Sequence, residues 1–155
     1  MSKVNYGKRF EQDFSKSAPD WLDVTRLIDA GGWSKSEDLR FTPSNLCDFI
    51  VFSEKTHRLY KMELKSVKGI SLPFGNINKK KLDKLAEKSG GLLYPCLVIN
   101  YRQLEKTYMV KAERVKKFME SSPRRSIPAT WAQSAGDVIV QTLVRVRYKY
   151  DLGWL

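Results

Sequence analysis

The segment 45–65, NLCDFIVFSEKTHRLYKMELK, predicts two β-strands joined by a polar turn. An apolar run of β-branched and aromatic residues follows Asp48, and after the polar turn a second run leads to Glu63 and Lys65. Side chains alternate between the faces of a strand, so Glu63 and Lys65 share a face. Neighbouring strands lie about 5 Å apart, which brings Asp48 within reach of that face. The segment therefore predicts two carboxylates and an ammonium group at one place, in outline a site for a metal ion and a water.

A Glu-x-Lys triplet on a strand is common, and it is most often a solvated face of an antiparallel sheet. A carboxylate beside the apolar residues 49–52 is harder to accommodate, because a buried carboxylate needs a partner or a metal. The combination of Asp48 with Glu63 and Lys65, rather than any of the three alone, favours a functional site.

The composition is that of a globular protein. The 155 residues are 42% hydrophobic and 12% aromatic, which predicts one domain over residues 1–155. No apolar run reaches the length of a membrane span, and the N-terminus lacks the apolar segment of a signal peptide, so we expect a soluble, intracellular protein. The net charge of +11 and the pI near 9.7 favour a polyanionic partner, nucleic acid before an acidic membrane surface.

The cysteines and the single histidine do not suggest catalysis. Cys47 and Cys96 each lie in an apolar run and match no zinc motif, so we expect buried free thiols. His57 falls in the predicted turn, where a surface role is favoured. No Ser-His-Asp or Cys-His arrangement can be assembled around it.

Two predicted helices carry candidate site residues. The first covers about residues 4–17, and Glu11 lies on the flank of its apolar stripe, either leaning towards the site or pairing with a nearby lysine at the surface. The second starts at a cap, Asn76 or Asn78, and runs to about Lys88. Its outward lysines, either a solvated surface or contacts to phosphate, are Lys79, Lys80, Lys81 and Lys84.

The remaining patterns predict strands at 21–28, 92–101 and 107–110, a helix at 112–120, and loops at 31–45 and 122–129. Arg124 and Arg125 in the last loop either contact phosphate or are simply exposed. Residues 144–150 alternate strictly, which predicts a strand with one apolar and one basic face. This order of elements predicts a mixed α/β, or α+β, fold with helices flanking a central sheet.

The pattern of an N-terminal helix with a Glu, then Asp48 and, after 14 intervening residues, Glu63-Leu64-Lys65 resembles the PD-(D/E)xK nucleases. Residues 66–76, SVKGISLPFGN, with the helix after them and the Gly90-Gly91 pair before an apolar strand, are similar to RecU-type Holliday-junction resolvases. The segments 124–128 and 150–152 continue this resemblance, which covers most of the chain. It implies a restriction-endonuclease-like fold with a central mixed sheet flanked by helices.

The resemblance also implies roles for individual residues. Asp48 and Glu63 would bind Mg²⁺, with Mn²⁺ as a substitute, and the main-chain carbonyl of Leu64 would assist. Such hard cations prefer oxygen ligands. Lys65 would position or polarise the attacking water, and Glu11 would be an accessory acidic group of the metal site.

The implied function is structure-selective cleavage of four-way DNA junctions by symmetric phosphodiester hydrolysis, performed by a homodimer in the cytoplasm of a bacterial or phage-infected cell. Two alternatives stay open. One is a nuclease of the same fold with another DNA target, restriction-like or end-processing, and the other is a non-catalytic DNA-binding module.

The chain departs from the family pattern at three places. Lys81 stands where members often carry a glutamine, and Cys47, not a proline, precedes Asp48. The segment 31–45 is short compared with the stalk-like insertion of cellular members, which points to a compact, phage-type variant. Whether this segment contacts a junction is left open by the sequence.

Overall fold

The computed structural model describes residues 3–28 and 45–155, and the predicted loop at 31–45 lies outside them except for Asn45. The strands are β1 (Leu22–Arg26), β2 (Phe49–Ser53), β3 (Leu59–Val67), β4 (Ser71–Pro73), β5 (Leu93–Tyr101), β6 (Lys106–Lys111), β7 (Ser126–Pro128), β8 (Asp137–Ile139), β9 (Gln141–Val144) and β10 (Arg147–Tyr150). The helices are α1 (Tyr6–Lys16), α2 (Lys79–Glu87), α3 (Ala112–Ser121) and α4 (Ala129–Ala135).

The centre of the fold is a mixed sheet with the strand order β1-β2-β3-β5-β6-β8. The strands β3 and β5 are parallel, with Glu63 opposite Leu97, and all the other neighbouring pairs in this sheet are antiparallel. Parallel neighbours need a crossover connection, and the chain makes it through β4 and α2. The predicted α+β class, with a mixed central sheet flanked by helices, is confirmed.

The second predicted helix begins at one of its two candidate caps. The side chain of Asn78 accepts a hydrogen bond from the backbone N–H of Lys81 at 3.2 Å, which satisfies one of the unpaired donors of the first turn. Leu82 and Leu85 are buried, as their spacing predicts. The helix therefore presents its lysines away from the core and is held against the sheet by its leucines.

The two sides of the sheet bury different helices. On one side, here called the α1 face, Phe10 and Phe14 pack with Phe49 and Met62. On the other side, the α2 face, the leucines of α2 pack with residues that include Leu97. Residues 60, 62 and 64 of β3 are buried towards the α1 face, so residues 61, 63 and 65 project towards the α2 face.

The prediction of one continuous strand at 144–150 was wrong. Arg145 has φ +59°, and the chain turns back so that β9 and β10 form a hairpin with Val144 opposite Arg147. A two-residue hairpin loop of this kind usually contains Asn or Gly, and the loop residues here are Arg145 and Val146. The basic side chains of this segment therefore do not line up on one face. Arg147 instead pairs with Asp13 of α1, at 2.6 Å.

Several smaller expectations can be compared with the fold. Cys47 and Cys96 are buried free thiols, as predicted, and His57 lies in the turn before β3 with φ +55°. The predicted loop at 122–129 contains β7, which pairs with β4, and α4 was not foreseen. Three-residue strands and a seven-residue helix are too short to show a period. In the described ranges, no helix is long and apolar enough to cross a membrane.

Candidate active site

Asp48 is fixed at the start of β2 by two backbone hydrogen bonds. Its own N–H donates to the carbonyl of Met62 at 3.0 Å, and its Oδ2 accepts from the N–H of Leu64 at 2.7 Å. Phe49 lies opposite Met62 in the register, so Asp48 is the cross-strand neighbour of Glu63. Because Phe49 is buried on the α1 face, the alternation of the strand turns Asp48 towards the α2 face.

Glu63 and Lys65 lie together on that same face. The Nζ of Lys65 is 2.8 Å from Oε1 of Glu63, and their side chains are 25% and 19% exposed, respectively. The structure thus brings together the three residues that the sequence singled out. The arrangement is half-buried, which makes electrostatic interactions stronger there than in open solvent.

The pKa of Asp48 is shifted by its burial and by the charges around it. Burial raises the pKa of the Asp48 carboxyl above its usual value, and the negative charge of Glu63 raises it further. The N–H of Leu64 and the charges of Lys65 and Lys81 act in the opposite direction but do not cancel the shift. Two carboxylates therefore compete for too little positive charge, and a cation between them would relieve that competition.

Cys47 lies next to this pair without the character of a nucleophile. Burial, followed by the charges of Glu63 and Asp48, raises the pKa of its thiol to about 11. Its Sγ donates to the carbonyl of Phe49 at 3.4 Å. Since the thiolate is the reactive form, the thiol is inert near neutral pH.

Of the four predicted lysines on α2, the structure brings one to the site. A small cleft between β3 and α2 is lined by Glu63, Lys65, Asn78 and Lys81. The three other lysines, Lys79, Lys80 and Lys84, are exposed to solvent. Lys81 is thus the lysine of α2 that shares a cleft with Glu63 and Lys65, and it stands where the resemblance places a glutamine.

Glu11 has a partner of its own. Its Oε2 is 2.7 Å from Nη2 of Arg26, with the two side chains 21% and 46% exposed, respectively. This is the pairing alternative, with an arginine of β1 in place of a nearby lysine. Arg26 lies opposite Phe49, one residue after Asp48, so the ion pair borders the end of the sheet that carries the site.

Arg124 and Arg125 are exposed and lie just before β7. The carbonyl of Arg125 accepts from the N–H of Phe74 at 2.9 Å, which ties this segment to the ribbon of β4 and β7. Leu72 and Ile127 of that ribbon pack in the α2-face cluster. The two arginines therefore belong to the same side of the sheet as the carboxylates, and the structure gives them no contact with the carboxylates.

The site offers oxygen donors of the kind that a divalent cation binds. Within residues 3–28 and 45–155, no three His, Cys, Asp or Glu side chains come together in a group that could hold a metal. The protein offers two carboxylates, and the main-chain groups of Leu64 are turned to the Asp48 side, as its N–H shows. Mg²⁺ is commonly bound through one or two carboxylates while it keeps several waters. The oxygen donors present fit such an ion.

One feature escaped the sequence interpretation. A cavity of about 510 Å³ lies on the α1 face, with Arg9, Lys68 and Arg102 among its lining residues. These cations are scattered along the sequence and obey no common period, so no pattern could have grouped them.

No protein-family profile matches the chain, and no curated protein matches it.

Proposed function

We propose that the chain is a metal-dependent DNA endonuclease of the PD-(D/E)xK type that resolves four-way junctions. The observation that carries the proposal is the placement of Asp48 opposite Glu63, with Lys65 at 2.8 Å from Glu63, on neighbouring strands of a mixed sheet. The resemblance of residues 66–76 to RecU-type resolvases supplies the choice of DNA substrate, and the charge of +11 agrees with a polyanion.

Asp48, Glu63 and the Leu64 carbonyl would hold Mg²⁺, with Mn²⁺ as a substitute. When bound, the ion would lower the pKa of a water and offset the charge that builds on the phosphate. The N–H of Leu64 holds the Asp48 carboxylate in one orientation at 2.7 Å, so its second oxygen stays free to act as a ligand. Orientation of this kind limits the entropy lost on binding.

Lys65 would act on the phosphate and the water. In the structure its ammonium group is paired with Glu63 at 2.8 Å, which holds it at the edge of the carboxylate pair. A cation in a half-buried site stabilises negative charge developing on a phosphoryl oxygen more strongly than it would in water. Its three N–H donors also allow it to orient a water towards phosphorus.

The DNA backbone would lie over the α2 face. Lys81 reaches the cleft, the exposed lysines of α2 extend the positive surface, and Arg124 and Arg125 continue it on the ribbon. Contacts of this type position the duplex without reading sequence. They also make binding fall steeply with salt, because neutralised phosphates release counterions.

Two symmetric cuts in a two-fold junction are most simply made by a two-fold enzyme. We therefore propose a homodimer that contributes one such site from each subunit.

The test is cleavage of a synthetic four-way junction beside linear duplex and single strand, with Mg²⁺, Mn²⁺ or EDTA. Asp48→Asn and Lys65→Ala are run with the wild type, and Lys55→Ala, at an exposed lysine in the turn between β2 and β3 at the far end of these strands, is the control. Paired nicks in the junction alone, lost in EDTA and in both site variants, support the proposal. Cutting of linear duplex would keep the nuclease and remove the junction preference. Binding without cutting in any metal would overturn the enzyme.

A further inference from the structure

The cavity on the α1 face has a place in the fold that bears on the proposed nuclease. It measures about 510 Å³ and lies between α1, the ends of β3 and β5, and the C-terminal hairpin of β9 and β10. This size is within the range of small-ligand sites. The cavity opens where the two parallel strands β3 and β5 end, a position at which α/β sheets commonly bind ligands.

Three cations line this cavity without acidic partners. In the described part of the chain, Arg9, Lys68 and Arg102 form no ion pair with a carboxylate. The guanidinium of Arg102 lies 4.1 Å from the centre of the Tyr6 ring, and its Nε is buried with no hydrogen-bond partner among residues 3–28 and 45–155. A buried donor without a partner is costly, so an acceptor bound in the cavity would stabilise this nitrogen.

The acidic residue of the lining is already neutralised. Asp13 is 4% exposed, and its Oδ1 lies 2.6 Å from Nη2 of Arg147, while its Oδ2 accepts from the N–H of Tyr148 at 3.3 Å. The carboxylate therefore gives little negative potential to the cavity. Three cations line the cavity against the one further carboxylate of Glu105, which accepts from the hydroxyl of Tyr148, so the charge around the cavity is net positive and favours an anion.

The inner wall is polar and ordered. The amide of Asn100, 5% exposed, donates to Oγ1 of Thr107 at 2.9 Å and to Oε1 of Gln141 at 3.2 Å, and its Oδ1 accepts from Ser66 at 3.1 Å. Thr107 also donates to Oε1 of Gln141, at 2.6 Å. The bonds from Asn100 and from Thr107 to Gln141 both use its side-chain oxygen. Its NH₂ group makes no hydrogen bond within the described residues and is available to a ligand.

The cavity also offers flat apolar surface. The rings of Tyr6 and Tyr148 line it, and Tyr6 is 47% exposed. A simple inorganic anion would use the cations and leave the rings and the amide donors without a role. A purely apolar ligand would leave the cations without one. A nucleotide uses all three features, since it combines a phosphate, a flat base and a base edge with hydrogen-bonding atoms.

The cavity and Lys65 lie on opposite faces of the sheet but at the same end of β3, so one DNA strand reaches both by passing over that end. Ser66 is the next residue and projects to the opposite face, and Lys68 lies three residues beyond Lys65. Because β3 ends at Val67, the three residues from Lys65 to Lys68 span at most about 10 Å. That length corresponds to about three nucleotide steps at 3.4 Å each.

We propose that this cavity takes up one unpaired nucleotide of the strand whose phosphate lies at Lys65. The inference rests on the proposed nuclease function and adds the substrate feature that the enzyme selects. A continuous duplex presents no free base and must unstack to supply one, whereas the strands that exchange at a branch point are more easily unpaired. The cavity thus accounts for a preference for junctions over linear duplex without any base-sequence readout.

Arg102→Ala is the primary test, because the Arg102 side chain makes no hydrogen bond to any residue that the structure describes, and its truncation removes only the contact with the Tyr6 ring. Binding of a fluorescent junction and of linear duplex is measured by anisotropy in EDTA, which prevents cutting. We expect Arg102→Ala to weaken junction binding about tenfold and duplex binding no more than about twofold. Lys55→Ala, in the turn between β2 and β3, is the control and should change neither, and circular dichroism melting verifies that all variants are folded.

Photocrosslinking supplies a second, positional measurement. A 5-iododeoxyuridine is placed, one position at a time, within about three nucleotides of the mapped cut, and crosslinked peptides are identified by mass spectrometry. We expect attachment to Tyr6 or Tyr148.

Each of the other outcomes is decisive. Equal losses on junction and duplex in Arg102→Ala would make Arg102 an ordinary phosphate contact and would overturn the cavity proposal. Unchanged binding with no crosslink to either tyrosine, in a protein that still cuts junctions, would overturn it while the nuclease stands. A wild-type protein that neither binds nor cuts DNA would overturn both proposals.

Discussion

The Oδ2 atom of Asp48 accepts a hydrogen bond from the backbone N–H of Leu64 at 2.7 Å. This bond ties the first candidate ligand to the strand that carries Glu63 and Lys65, so the carboxylate cannot turn away without losing it. Burial and the charge of Glu63 raise the pKa of the Asp48 carboxyl, and this hydrogen bond helps to hold the carboxyl next to Glu63 in spite of that unfavourable environment. The relationship yields a prediction about stability as well as one about cleavage.

We expect Asp48→Asn to lower cleavage about a thousandfold and yet to stabilise the metal-free fold at neutral pH. The asparagine keeps an oxygen for the N–H of Leu64 and removes a charge that burial disfavours. Because the pKa of Asp48 is raised in the folded state, its contribution to stability is full below the pKa of the unfolded chain and is lost as pH rises through the folded value. The advantage of the variant in EDTA should therefore be present at pH 7 and vanish towards pH 3.

Urea unfolding of both proteins in EDTA, across pH 3 to 8, measures this difference. With Mg²⁺ about 100-fold above its dissociation constant, the wild type should gain about 2.7 kcal/mol and the variant much less. Cleavage by the variant should fall by about three orders of magnitude, because a metal supplies several kcal/mol to such a step. A variant that is less stable than the wild type in EDTA at pH 7 would contradict the assigned environment of Asp48.

Lys81 should matter more than the other lysines of its helix. Lys81 lines the cleft with Glu63 and Lys65, whereas Lys80, the preceding residue of α2, is exposed to solvent. We expect Lys81→Gln, which restores the side chain common in the resembled family, to lower junction cleavage about tenfold through loss of a charged phosphate contact. The matched Lys80→Gln should change it by no more than about twofold, as initial rates on one junction would show. If the two substitutions lower the cleavage rate equally, Lys81 has no special role at the site and both lysines belong to a solvated helix surface.

Glu11 and Arg26 allow a structural role to be separated from a role at the site. Both Glu11→Gln and Arg26→Gln break the same 2.7 Å ion pair, and at this exposure each should cost no more than about 1 kcal/mol of stability. Only Glu11→Gln removes a negative charge, which the resemblance makes an accessory group of the metal site. We therefore expect it to raise the Mg²⁺ concentration needed for half-maximal cleavage, while Arg26→Gln does not. If the two variants need the same Mg²⁺ concentration for half-maximal cleavage, Glu11 serves only as the surface ion-pair partner of Arg26.

The sequence was most informative where one element carries its own period. The strand pair at 45–65, the helix capped by Asn78 and the shared face of Glu63 and Lys65 all follow from local alternation, and the fold has them. The hairpin at 141–150 was missed because Arg145 adopts a positive φ that usually calls for Asn or Gly. The cavity around Arg102 was missed for a different reason, since its lining comes from four separate parts of the chain.

The ion pair of Asp13 with Arg147 joins two residues that no local pattern connects, and it holds the C-terminal hairpin on α1. Asp13 is 4% exposed, so Arg147→Met would leave a buried carboxylate with the N–H of Tyr148 as a remaining partner. We expect a loss of about 1–3 kcal/mol in urea unfolding, less than for a fully buried pair because the arginine is partly exposed. Adding Asp13→Asn should recover part of that loss, since the second change removes the unpaired charge. Arg145→Met on the same hairpin is the control and should stay within about 0.5 kcal/mol of the wild type. A double variant as unstable as the sum of its single variants would show that packing of the hairpin, rather than the charge pair, holds it against α1.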